Sequence, residues 1–296
     1  MRILIAGGTG YLGTALRGRL ERSGHEITTL TRHEPGPGQI RWAPGHSPLG
    51  VEVVENADVV INVTGSSLLG NPHSSAYARQ LFQSRVDTTR TLADAIARSE
   101  RRPALLAGNG TSWYGDHGDE LVTETGDSRG DALLTRVTRE WQAATEPAVD
   151  AGARVCILRT APVFGRGSMV ASVLGRLFKL GLGGRVASGR QYFPLVAIHD
   201  WVEAVAGLTT DDQTSGPVNL TIPEPTTNAE FTTTLARLLH RPAVLPVPAP
   251  AVRLAAGPMA PELLNSIRLR PEALLRSGFE FRHSTVEAVL RSCFGH

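Results

Sequence analysis

Seven residues near the amino terminus, Gly7-Gly8-Thr9-Gly10-Tyr11-Leu12-Gly13, restrict the fold more than any other part of this 296-residue chain. They follow an apolar run, Arg2 to Ala6, that reads as a buried parallel strand. They precede residues 11 to 22, where Leu12, Leu16 and Leu20 recur at every fourth position and give a helix one apolar face. Gly8, Gly10 and Gly13 fit G-x-G-x-x-G; Gly7, Gly10 and Gly13 fit the related G-x-x-G-x-x-G. Between a strand and a helix, such glycines permit a tight turn and let backbone N–H groups approach a pyrophosphate. The helix N-terminus adds the positive end of its dipole. The motif predicts a dinucleotide cradle; the competing reading is a glycine turn without a ligand.

The periodicity that follows extends the same architecture. Glu26 to Thr31 is β-branched and strand-like, Gln39 to Trp42 is a short strand, and Ala57 to Val63 is a third buried run. A long helix is expected over residues 75–99, with Ala78, Leu81, Phe82, Val86, Leu92 and Ile96 on its apolar side. Strand 103–108, helix 131–150 and strand 153–160 come next. Alternating strands and helices require crossovers, so the fold class is α/β with a doubly wound parallel sheet. After about residue 165 the regularity weakens. Residues 222–263 are rich in proline and threonine around a helix near 228–240, and apolar helical spacing returns near 262–276 and 285–293. The expected division is a nucleotide-binding domain over residues 1–220 and a smaller substrate lobe over 221–296, with part of 165–200 adding to the substrate cleft.

Composition removes several function classes. Lys and Arg number 30 against 28 Asp and Glu, a net charge of +2 that gives no reason to expect nucleic acid or an anionic membrane as partner. Two cysteines exclude a disulfide framework and a multi-cysteine zinc site. No apolar run reaches the roughly 18 residues of a membrane span, and the amino terminus lacks a signal-peptide cleavage pattern. The expectation is a cytoplasmic protein with a small-molecule substrate, and a homodimer is a candidate assembly. No metal site is expected: neither paired His spacing, nor paired carboxylates, nor a G-x-S-x-G nucleophile turn is present.

The second strand ends Leu30-Thr31-Arg32-His33, without the Asp or Glu that would bind a ribose diol. Arg32 beside Thr31 suits a 2′-phosphate, so NADP is favoured over NAD; a solvated loop arginine is the alternative. At this point the residues resemble a known family. GGTGYLG, VINVTG (60–65), SWYGDHGDE (112–120) and ILRTAPVFG (157–165) are similar to the extended short-chain dehydrogenase/reductases. TRHEPGPGQIRW (31–42), SRVDTTRTLADAI (84–96), REWQAA (139–144) and GLGGRVASGRQYFP (181–194) point to their atypical, epimerase-like subgroup. The resemblance covers nearly the whole chain. It implies a Rossmann-type sheet with a C-terminal substrate lobe and NADPH as cofactor. Gly7, Thr9, Gly10, Tyr11, Leu12 and Gly13 would meet the pyrophosphate, and Thr31 and Arg32 the adenosine phosphate. Asn62, Val63, Thr64 and Gly65 would lie along a ribose, with Ala161, Pro162 and Val163 beside the nicotinamide. Arg85 and Asn109 stand where the superfamily has its helix asparagine and its upstream serine, and both are assigned to the cofactor.

The departure from the superfamily concerns chemistry. Its members carry Tyr-x-x-x-Lys on the helix after the fifth strand, where the lysine lowers the tyrosine pKa for proton exchange during hydride transfer. Here residues 131–141 contain neither, and the register places Leu134 and Thr138 at those positions. Substitute candidates are Tyr114 as proton donor and His117 as acid–base group, in the loop after the fifth strand, with His199 beside Asp200. Against them stand packing for Tyr114, solvation for His117 and helix capping for Asp200. Arg159 is read either as an anion holder or as half of a structural ion pair, and Cys156 as a buried filler. The expected function is an NADP-binding oxidoreductase or epimerase-like enzyme for a small carbonyl, imine or sugar-like substrate. A non-redox isomerase or lyase is a further possibility. The main alternative is a catalytically degenerate NADP-binding sensor or scaffold.

Overall fold

Apolar runs become strands and amphipathic stretches become helices, in alternation. This computed structural model describes residues 1–243 and 246–295; Val244, Leu245 and His296, all within the expected C-terminal lobe, lie outside the described residues. β1 (Arg2–Ala6), α1 (Tyr11–Arg22), β2 (Glu26–Thr31), β3 (Gln39–Arg41), α2 (Val51–Glu55), β4 (Val59–Asn62), α3 (Ser75–Arg98) and β5 (Ala104–Gly110) come first. After β6 (Leu121–Val122) come α4 (Leu133–Ala143), α5 (Glu146–Asp150), β7 (Val155–Thr160), β8 (Val163–Phe164), α6 (Met169–Lys179) and β9 (Val196–Ala197). The remainder is α7 (Ile198–Thr210), β10 (Gly216–Leu220), α8 (Asn228–Leu238), α9 (Ala249–Ala256), α10 (Pro261–Leu264), β11 (Arg268–Leu269), α11 (Glu272–Arg276) and α12 (Val286–Phe294).

Seven strands form one sheet in the order β10-β7-β5-β4-β1-β2-β3, and the pairs from β3 through β5 are parallel. The winding reverses between β1 and β4, which makes this the expected Rossmann-type, doubly wound α/β sheet. At such a reversal the carboxyl ends of neighbouring strands leave room for a ligand. The sheet is anchored by apolar residues that cannot be solvated at low cost: Leu4, Ala6, Val60 and Leu105 pack with Leu92, Ala93 and Ile96 of α3, all at most 1% exposed.

The chain packs into two compact units that do not follow its linear order. One comprises Met1–Asn109, Val137–Leu158 and Val202–Pro217; the other comprises Gly110–Arg136, Arg159–Trp201 and Val218–His296. The second unit has its own core, in which Phe164, Phe178, Leu195, Phe231, Leu235 and Leu290 are buried together. A smaller cluster there joins Tyr114, Val122, Ile267 and Leu269. Among the described residues no helix is long and apolar enough to cross a membrane.

Two expected helices are divided. The span 131–150 is α4 and α5, because Pro147 stands in the first turn of α5, where its missing N–H is harmless, and cannot continue a helix from upstream. The span 262–276 is α10, β11 and α11: the chain extends after Leu264, and Pro271 marks the start of α11.

Candidate functional site

A cleft of about 740 Å³ opens at the reversal of the sheet, and every residue lining it belongs to the first unit. Its floor is the turn between β1 and α1. Gly7 has φ +86°, a conformation that strains any residue with a side chain, and an added Cβ would lie 2.8 Å from the Val63 carbonyl carbon and 2.9 Å from Thr64 N. At Gly13 a Cβ would lie 2.1 Å from Gly7 O, so the helix starts tight against the turn. Gly10 differs: its φ is −75°, and a Cβ there would meet nothing nearer than Gly7 O at 3.4 Å. Space is what Gly10 supplies, on the cleft side. As N-cap it offers no side chain to the first-turn N–H groups of α1, and that turn carries no acidic residue. Helix dipole and amides together favour an anion here.

Of the residues the sequence reading assigned to a cofactor, Gly7, Thr9, Gly10, Thr31, Arg32, Val63, Thr64 and Gly65 line this cleft. Tyr11, Leu12 and Gly13 belong to the first turn of α1 and do not line it. Nor does Asn62, which is fully buried beneath it. The Asn62 amide donates to Thr89 Oγ1 at 2.8 Å, and its oxygen accepts from Thr64 N at 3.1 Å. Trp141 Nε1 donates to the same Thr89 hydroxyl at 2.8 Å. This satisfied buried network fixes the Thr64 turn. Arg85 acts similarly from α3. It is buried, donates to Ser66 O and Leu81 O at 3.1 Å each, and lies over the Trp141 ring at 5.3 Å. Burial pulls its guanidinium down to about 10. Arg85 braces the loop after β4 and does not line the cleft. Asn109 is also buried and donates to Thr138 O at 3.0 Å.

A second, much smaller cleft of about 40 Å³ lies wholly in the second unit. Pro162 lines it with Thr111, Ser112, Tyr192 and Glu262. Val163 is half-buried in β8, paired with Val196 of β9. Ser112 Oγ donates to Glu262 Oε2 at 2.6 Å. Burial pushes the Glu262 carboxyl up to about 7, against the opposing effect of that hydrogen bond.

The three acid–base candidates line neither cleft. Tyr114 is fully buried. Its hydroxyl donates to Asn219 Oδ1 at 2.7 Å and accepts from Arg159 Nη1 at 2.9 Å, and burial raises its pKa. Arg159 is buried as well: it lies 3.5 Å over the Trp113 ring, and its Nη1 also donates to Glu124 O at 3.4 Å. His117 is buried, with Nε2 3.2 Å from Asp127 O, and burial and Arg129 push its pKa down. His199 is largely exposed, with Nδ1 3.4 Å from Asp200 Oδ1. Asp200 corrects the capping expectation. α7 begins at Ile198, so Asp200 is inside the first turn, and its carboxylate accepts from Arg282 N and His283 N at 3.0 and 2.8 Å. His199, Asp200 and His283 group their ligand atoms within 4.8 Å of one another, but the carboxylate is already engaged by that backbone.

Among the cleft residues not singled out from the sequence are Arg41 and Glu262. Arg41 lines the large cleft beside Arg32 because β3 pairs in register with β2, Thr31 against Arg41. The edge position of Gln39–Trp42 was the available signal. Glu262 had no local signal; it meets Ser112 across 150 positions.

Comparison with known proteins gives a consistent picture. The description "NAD dependent epimerase/dehydratase family" matches residues 3–220, and a "domain of unknown function (DUF1731)" matches residues 247–293. The epimerase family protein Mb2239 of Mycobacterium bovis is 36% identical over 290 residues, covering 97% of this chain and 96% of that protein. The epimerase family protein SDR39U1 of Mus musculus is 33% identical over 296 residues, covering 98% and 99%. The crystal structure of human epimerase family protein SDR39U1 (isoform 2) with NADPH superposes with a TM-score of 0.87 at 28% identity, covering 100% of this chain and 99% of that one.

Proposed function

The chain belongs to the NAD-dependent epimerase/dehydratase family, and on that premise we propose that it is an NADP-binding oxidoreductase or epimerase-like enzyme acting on a small carbonyl, imine or sugar-like substrate. The observation that carries the reading is the large cleft, in which the glycine turn, the α1 N-terminus and the strand end Val63-Thr64-Gly65 converge with Arg32. The donor set suits the cofactor. Amides at the helix start would hold the pyrophosphate, Arg32 with Arg41 would hold a 2′-phosphate, and Thr64 would meet a ribose hydroxyl. The human relative with NADPH supports the same assignment. When bound, the reduced nicotinamide supplies hydride.

The chain's own part in proton transfer does not run through α4. That helix reads LLTRVTREWQA and carries neither the tyrosine nor the lysine of the superfamily pair. Proton exchange therefore falls to residues elsewhere, with residues 221–296 and part of 165–200 forming the substrate lobe. The same gap on α4 favours the second reading, an NADP-binding sensor that has lost turnover. Calorimetry of NADPH and NADH with the wild-type protein tests the nucleotide assignment. NADPH is expected to bind about tenfold more tightly or better, the equivalent of roughly 1.4 kcal/mol. Equal affinities would overturn the NADP assignment.

A further inference from the structure

Resting on that reading, we propose that Glu262, held by Ser112, is the proton-exchanging group of the small cleft, serving a neutral carbonyl- or hydroxyl-bearing compound. The walls decide the ligand class. Thr111, Thr135 and Asn265 offer neutral polar groups, Pro162 and Phe193 offer apolar surface, and among the described residues no lysine or arginine lines the cleft. An anionic substrate would meet no counter-charge there and, once Glu262 ionises, a like charge. The volume, about 40 Å³, takes a carbonyl or hydroxymethyl group and leaves the rest of a larger substrate outside.

Glu262 is poised by its surroundings. Ser112 Oγ, at 2.6 Å, donates to Oε2, and among the described residues no cation pairs with the carboxyl. Ionisable groups on neighbouring elements are Tyr192, Arg268, Asp116 and His117, and none of them pairs with the carboxyl; Arg268 Nε and His117 Nδ1 are buried without a hydrogen-bond partner among the described residues. Tyr192 forms a wall of the cleft, and Arg268 lies 5.3 Å over that ring. Asp116 accepts from Ser266 N at 3.1 Å, and His117 N donates to Ser266 O at 2.9 Å. A carboxyl whose burial brings it to about 7 is populated in both forms near neutral pH, which suits an acid in one direction and a base in the other. The step is a proton transfer alone: the protonated carboxyl gives its proton to a ligand oxygen and becomes a carboxylate that keeps the Ser112 hydrogen bond, and the reverse returns the proton. Glu262 also gives a task to the region 247–293, whose family description assigns none.

The test is carbon NMR of protein carrying carboxyl-labelled glutamate, titrated in pH with dihydroxyacetone as neutral probe and pyruvate as anionic probe. One carboxyl should titrate near 7. It should vanish in Glu262→Gln and move to a higher midpoint in Ser112→Ala, which removes the hydrogen bond favouring the carboxylate. Dihydroxyacetone should shift that resonance saturably, and pyruvate at pH 8 should not. If no carboxyl titrates in this range, if dihydroxyacetone leaves the resonance in place, or if pyruvate shifts it equally, the proposal is overturned. The wild-type resonance answers even if a variant folds poorly. NADPH titration of Glu262→Gln separates the two levels: unchanged affinity keeps the nucleotide reading whatever the carboxyl does. If the wild-type protein fails to bind NADPH, that reading falls, and the reaction assigned to Glu262 falls with it.

Discussion

Tyr114 is held from two sides, by Asn219 below its hydroxyl and by Arg159 across its ring and oxygen. Tyr114→Phe removes one buried partner from each. It should lower unfolding stability by about 1 to 3 kcal/mol while NADPH affinity stays at the wild-type value. Urea unfolding and a nucleotide titration check both halves; an unchanged stability would mean that the hydroxyl is not the bracket described. Glu262 has the opposite signature. Its folded carboxyl, at about 7, binds protons more tightly than the ordinary carboxyl at 4.5. Stability is therefore full below the unfolded value and is lost as pH rises through about 7. Glu262→Gln should then gain up to roughly 3 kcal/mol at pH 8 and little at pH 4. Urea melts at the two pH values decide it, and an equal change at both would contradict the assignment.

At the scale of elements, the β1–α1 turn makes two separate demands on its glycines. Gly13→Ala places a Cβ against Gly7 O and should destabilise the fold by several kcal/mol, because backbone must move. Gly10→Val brings its Cβ no closer than 3.4 Å to Gly7 O, an ordinary contact, so it should abolish NADPH binding while the thermal transition stays near that of the wild type. Calorimetry beside thermal unfolding separates the pair; normal NADPH affinity in Gly10→Val would show that the turn cradles no phosphate. This turn was legible in the sequence because its parts are local: strand, glycines and helix lie within 22 residues. β1 and β4 were legible for the same reason, as buried runs, and β2 as a β-branched stretch. Arg41 was not, since its place depends on β3 pairing with β2, nor was Glu262, which needs the chain to return to Ser112. Arg85 and Asn62 were read toward the cofactor, and the residues beneath the cleft show them bracing its loops. Periodicity reveals which face is buried, not which hydrogen bonds a buried polar group makes.

For the whole molecule, each cleft is built from the residues of one unit alone, the large one from the first and the small one from the second. Nucleotide affinity and the Glu262 titration are thus separable properties, and a change in one cleft need not alter the chemistry lining the other. The nearly neutral net charge gives no general attraction for a polyanion, so selectivity for a 2′-phosphate has to come from local cations. Arg32 and Arg41 line the large cleft and, on the proposed reading, supply those cations. The most direct measurement is the ratio of NADH to NADPH dissociation constants, by calorimetry, in wild type and in Arg32→Ala. The wild-type ratio should favour NADPH. In Arg32→Ala that preference should fall by about 1 to 3 kcal/mol, roughly 5- to 150-fold, with NADH affinity nearly unchanged. A ratio that stays the same in Arg32→Ala, or a loss shared equally by both nucleotides, would contradict the account.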